Sequence, residues 1–154
     1  MRFPIQFFES TSMENRGTLI SIHIADIHFG CSIDPKVEYE ILKEQMVDEL
    51  EPLQFDILSV DGDLFDRKYM SNTDPILYAS LLISEYVNLC KRKNATLVIL
   101  AGTKEHDAGQ LKIFYHYLNN PEIDVRIVEN IQFEYIKGAK VLCIPELYGV
   151  DEQI

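Results

Sequence analysis

Asp26, His28, Asp63, Asp66, Glu105 and His106 are the residues whose types and spacing can do chemistry in this sequence. They fall in three short segments, Asp26-Ile27-His28, Gly62-Asp63-Leu64-Phe65-Asp66 and Gly102-Thr103-Lys104-Glu105-His106-Asp107. Carboxylate oxygens and imidazole nitrogens together suit manganese, iron or zinc better than an ion that prefers thiolates. Residues two apart in an extended segment point to the same side. Asp26 and His28 are therefore expected to reach one ion together while Ile27 packs away from it. Gly62 lets the backbone turn sharply beneath Asp63, whose two carboxylate oxygens can bridge two ions. Metals held about 3.5–4 Å apart activate water and neutralise the leaving oxygen of a phosphoester.

The elements that must position these residues follow from hydrophobic periodicity. Leu19–Ile24 alternates isoleucines with Ser21 and His23 and reads as a strand ahead of Asp26. Asp34-Pro35 opens a helix to about Glu51, with Tyr39, Leu42, Met46 and Leu50 as its buried stripe. Phe55–Val60 is a buried strand leading into Asp61-Gly62-Asp63. Asp74-Pro75 opens a second helix to about Lys93, with Ile76, Ile83, Val87 and Cys90 on one face and Asn94 closing it. Thr96–Ala101 is a third buried strand, and a third helix is expected over Gln110–Leu118. Val125–Val128, Ile131–Ile136 and Lys140–Ile144 read as short strands, the last two joined at Lys137-Gly138. Alternating strands and helices predict a layered α/β domain with a mostly parallel sheet. In such a sheet ligands gather outside the carboxyl ends of the strands, where all three segments fall.

Composition narrows the classes. A length of 154 residues fits one domain with a real core, and 47% hydrophobic against 25% charged residues is a globular balance. The formal net charge of -11 argues against broad coating of DNA. Carboxylates that hold divalent ions contribute to that surplus. Cys31, Cys90 and Cys143 form neither a disulfide framework nor a Cys-x-x-Cys pair, which favours a reduced, cytoplasmic setting. No apolar run approaches the roughly 20 residues of a membrane span. Residues 1–18 read as a loosely held extension ahead of the first strand, with the domain over 19–154. The apolar stretch Phe3–Phe8 lacks the flanks of a signal peptide.

The three segments together resemble the first three motifs of the calcineurin-like metallophosphoesterases. Ser21-Ile22-His23-Ile24-Ala25-Asp26-Ile27-His28-Phe29-Gly30, followed by Gly62-Asp63-Leu64-Phe65-Asp66, is most similar to the SbcD-type DNA repair exonucleases. The resemblance runs from about Leu19 to Pro145. It implies the layered α/β/β/α metallophosphoesterase fold, here its N-terminal part. It also implies a two-metal, manganese-preferring centre (Mg(2+), Fe or Zn(2+) being the other ions) that cleaves phosphodiesters in DNA. Asp26 and His28 would bind the first metal and Asp63 would bridge both. His106 would act at the scissile phosphate as general acid, with Asp66 hydrogen-bonded to it. A dimer and an SbcC-like ATPase partner are implied as well.

The sequence departs from that pattern twice. The family's third motif is Gly-Asn-His-Asp, whereas here the loop is longer and contains no Asn. Glu105, directly before His106, is the natural substitute as metal ligand, and Thr103, directly after the glycine, is a weaker one. The family's downstream histidines are also missing, since the four histidines are His23, His28, His106 and His116. The chain is therefore expected to be either the front part of a longer nuclease or a short, inactive relative that binds DNA or a nuclease partner. A small-molecule phosphoesterase of the same fold is the other enzymatic reading. His23 is expected to be a satisfied histidine outside the metal set, His116 a packing or surface residue, and Asp107 a brace for its loop. Arg67 and Lys68 are either phosphate contacts or solvated loop residues. Lys91-Arg92-Lys93 reads as a basic helix end that suits the helix dipole.

Overall fold

Leu97-Val98-Ile99-Leu100 has none of the alternation of a half-solvated strand, and it lies inside the sheet between two other strands, with Leu97, Val98 and Ile99 buried. The computed structural model describes residues 6–10, 17–31 and 33–146. Five strands form the main sheet in sequence order: β1 (Gln6–Ser10), β2 (Leu19–Ile24), β3 (Ile57–Asp61), β4 (Thr96–Leu100) and β5 (Asp124–Val128). β2 to β5 are parallel, and β1 pairs antiparallel with β2 from Gln6↔His23 to Ser10↔Leu19. The expectation of a loose extension over 1–18 is thus corrected at Gln6–Ser10. Without β1 the outer edge of β2 would present a row of unpaired N–H and C=O groups, which a neighbouring extended segment satisfies. Phe3 and the segment 11–16 lie outside the described residues.

Helical segments cross between successive parallel strands. α1 (Pro35–Leu42) is capped by Asp34, whose Oδ1 accepts from Lys36 N at 2.9 Å and Val37 N at 3.3 Å. The helix continues to Leu50, but over Lys43–Asp48 it widens to a π-helix. Leu42, Met46 and Leu50 are buried on the expected stripe, with Tyr39 packed at its margin. α2 (Asp74–Lys93) ends as expected at Asn94, which adopts the left-handed conformation with φ 53°. The basic residues of its last turn are engaged locally. Lys91 pairs with Glu122 at 2.5 Å, Arg92 with Glu51 at 2.6 Å, and Lys93 donates to the Glu51 carbonyl. The third helix, expected over Gln110–Leu118, is a tightly wound 3₁₀ helix over Leu111–Tyr117.

Register divides the sheet into two faces. Ile22, Ile24, Leu58, Val60, Leu97, Ile99 and Val125 join α1 and α2 in the main core. Right-handed crossovers between strands taken in order place all the helices on that one face. Ile57, Val98 and Val128 point the other way and meet Ile136 and Cys143 of a separate hairpin, β6 (Gln132–Ile136) and β7 (Ala139–Cys143). Lys137 and Gly138, with φ 48° and 82°, make the two-residue turn that a twisted hairpin needs. The outward face of the hairpin carries Phe133 (53% exposed), Tyr135 (67%) and Leu142 (48%), with exposed Ile131 and Ile144 just beyond. Among the described residues no helix is long and apolar enough to cross a membrane. The three cysteines are unpaired, and burial pushes the Cys90 thiol up to about 12.

Candidate metal centre

Beyond the ends of β2 and β3 the two chains stay zipped. His28 N donates to Asp63 O at 2.9 Å, Phe29 N to Leu64 O at 2.8 Å and Asp66 N to Phe29 O at 3.1 Å. This pairing brings His28 against Asp63, and it needs unusual backbone. Asp26, His28 and Asp63 all have positive φ, at 54°, 51° and 48°, as does Gly62 at 83°. Non-glycine residues in that region cost energy and gather at functional sites, with Asp and His among the types that enter it most readily. The extended geometry expected of Asp26 and His28 is therefore corrected. Ile27 is buried as expected, but two left-handed residues around it, not strand alternation, turn the flanking side chains outward.

Three side chains from three loops converge. Asp63 Oδ2 lies 3.8 Å from His28 Nε2 and 3.3 Å from His106 Nδ1, and the two imidazoles meet edge to face at 4.8 Å. One donor atom from each of His28, Asp63 and His106 falls within 4.8 Å of the others. The other Asp63 oxygen, Oδ1, accepts the Thr103 N–H at 2.6 Å. Two polar atoms here are buried without a hydrogen-bond partner among the described residues, His106 Nδ1 and Thr103 Oγ1. Leaving such a group unsatisfied costs about 1–3 kcal/mol. A cation among two imidazole nitrogens and a carboxylate oxygen answers that cost, and the donor set suits manganese, iron or zinc.

The remaining candidates take other positions. Asp26 is 74% exposed and approaches the group through His28, with 4.0 Å between Oδ1 and Nε2. Asp66 stands beside His28, its Oδ1 4.0 Å from Nδ1, and its Oδ2 accepts from Arg67. It makes no hydrogen bond to His106. At that distance the carboxylate is an electrostatic neighbour of the ring and not its hydrogen-bond acceptor. Glu105 is exposed and outside the converging group. Residues 103–107 coil into a turn, with His106 N and Asp107 N both donating to Thr103 O, which brings His106 inward and leaves Lys104 and Glu105 in solvent. Thr103, the weaker candidate of the two, is the one that faces Asp63.

Asp107 braces this turn as expected. It is fully buried and accepts N–H groups from Gly102 at 2.8 Å, Phe65 at 3.2 Å and Leu64 at 3.3 Å, tying the second and third loops together. Burial raises its carboxyl pKa, against the opposing pull of those three donors. Sequence reasoning missed Gln110. Its amide donates to Arg67 O at 3.0 Å and to His106 O, and accepts from Tyr69 N at 2.8 Å. A lone Gln at a helix start carries no sequence signal for that role.

The other two histidines are satisfied elsewhere. His23 Nδ1 donates to Asp61 Oδ2 at 2.6 Å, and its Nε2 lies 3.1 Å from Ser21 Oγ. The bond to Asp61 raises the His23 pKa, outweighing the effect of burial. His116 is exposed on the 3₁₀ helix, its Nδ1 bonded to Ile113 O at 2.8 Å. Comparison with protein-family models and with curated proteins finds no match to this chain.

Proposed function

We propose that this chain is a metallophosphoesterase domain of the SbcD-like type, with the layering of the α/β/β/α fold, serving phosphodiester hydrolysis on DNA. The observation that carries the reading is the Asp63 carboxylate between two imidazoles delivered by separate strand ends, with His106 Nδ1 and Thr103 Oγ1 buried and without hydrogen-bond partners among the described residues. His28, Asp63 and His106 would hold a divalent ion, manganese by preference, with Asp26 and Thr103 at its margins. Such an ion supplies an activated water and charge neutralisation at the phosphoester. Asp66 stands on the far side of His28, adding negative charge beside the ring. Asp63, fixed through Oδ1 by the Thr103 N–H, would be one of the groups that hold the ion. With Nδ1 of His106 turned to Asp63, Nε2–H is the group that would be left to hydrogen-bond the scissile phosphate or its leaving oxygen.

Three converging groups with Glu105 in solvent favour a second reading in which the chain alone holds one ion weakly and serves as a DNA- or partner-binding module. Manganese titration by calorimetry, with turnover of linear DNA and of a small phosphodiester, tests both. One bound Mn2+ that is lost in Asp63→Asn, with manganese-dependent cleavage of DNA, is the expected result. Mn2+ bound without cleavage selects the second reading. Mn2+ affinity unchanged in Asp63→Asn overturns the site.

A further inference from the structure

Arg67 follows Asp66 at the rim of the three-residue group and is 65% exposed, yet it is held from both ends. Its Nε and Nη2 donate to Asp66 Oδ2 at 2.9 and 2.6 Å. Its own carbonyl accepts from the buried Gln110 amide at 3.0 Å, and the same amide accepts from Tyr69 N two residues on. An exposed ion pair of this kind adds only about 0–1 kcal/mol to stability. What the arrangement does provide is placement. Through Asp66 the guanidinium is fixed next to His28, since the other Asp66 oxygen lies 4.0 Å from the ring. A guanidinium has five N–H donors; the bonds to Asp66 occupy two and a contact with the Tyr69 hydroxyl draws on another, which leaves donors over.

The surroundings give that placement a purpose. Asp26, Asp63 and Asp66 surround the group in a chain of net charge -11, a field that repels a phosphodiester. The other described arginines are committed on other elements, Arg92 to Glu51 and Arg126 to Asp124 and Glu134. We propose that Arg67 is a substrate-binding residue that takes a non-bridging phosphate oxygen of a nucleic-acid strand beside the metal group, with Asp66 as its anchor. This rests on the function proposed above and assigns Asp66 a role toward Arg67 and His28 in place of His106. A planar fork pre-set by a carboxylate suits phosphate better than a mobile ammonium. Lys68, the neighbouring cation, has no such anchor among the described residues.

The test is anisotropy titration of a short fluorescein-labelled oligothymidine with Mn2+ present, alongside calorimetric Mn2+ titration, for the wild type, Arg67→Ala, Arg67→Lys and Lys68→Ala. Arg67→Ala is expected to weaken oligonucleotide binding about tenfold, the loss of one charge-assisted contact, with Arg67→Lys in between. Lys68→Ala and the Mn2+ affinity of every variant are expected to stay as in the wild type. Equal losses in Arg67→Ala and Lys68→Ala, or no loss in Arg67→Ala, each overturn the Arg67 assignment alone, whereas a wild type that takes Mn2+ but no oligonucleotide overturns the proposed action on DNA and this assignment with it. A wild type that takes no Mn2+ overturns the proposed function and this assignment with it.

Discussion

Asp63 and His106 meet through a single carboxylate oxygen, Oδ2, which stands 3.3 Å from Nδ1 although no hydrogen bond joins them. The contact spans two loops that enter from different strands. Its geometry therefore depends on how closely those loops approach, and the backbone at Gly102 controls that approach.

A Cβ at Gly102 would fall 2.0 Å from Asp63 N and 2.2 Å from Asp63 Oδ1. Backbone cannot yield as a flexible side-chain tip can. Gly102→Ala is expected to destabilise the fold by about 3 kcal/mol, the upper end of ordinary overpacking, and to abolish Mn2+ binding. Urea unfolding and metal titration measure the two effects. A variant with the wild-type midpoint would show that the loops do not interlock.

Asp107 makes a separate prediction about the same loops. Asp107→Ala leaves the N–H groups of Gly102, Phe65 and Leu64 without their acceptor in a buried site. At about 1–3 kcal/mol for each unsatisfied group, a loss of several kcal/mol is expected unless water enters. Asp107→Asn keeps an oxygen for part of that set and should fall between. Equal stability of Asp107→Ala and the wild type in urea would refute the bracing role.

His23 links stability to pH. Its pKa in the folded chain is raised by Asp61, so the folded state binds the proton more tightly than the unfolded one. That stabilisation is complete below the unfolded value of about 6.5 and is lost as pH rises through the higher folded value. The melting temperature of the wild type should therefore exceed that of His23→Asn most on the acidic side, and the gap should narrow as the pH is raised. A gap that widens with pH would contradict this.

Much of the fold was legible in the sequence because its signals are local. α2 begins and ends where Asp74-Pro75 and Asn94 place it, and the strands Leu19–Ile24 and Thr96–Leu100 match their apolar patterns. β1 was not legible, since its place depends on an open sheet edge and not on its own pattern. The convergence of His28, Asp63 and His106 follows from their common place at strand ends. The exposure of Glu105 and the pairing of Asp66 with Arg67 do not, because they depend on loop backbone. Positive φ at Asp26, His28 and Asp63, and the bonds from Asp107 and Gln110 across the loops, have no periodic signature.

The outward face of the β6–β7 hairpin sets the chain's colloidal behaviour. Phe133, Tyr135 and Leu142 attract any second apolar surface, while a net charge of -11 holds copies of the chain apart near neutral pH. Acidification towards the isoelectric point of about 4.7 removes that repulsion and leaves the aromatic face unopposed. Self-association that grows as the pH falls towards that point is the expected outcome.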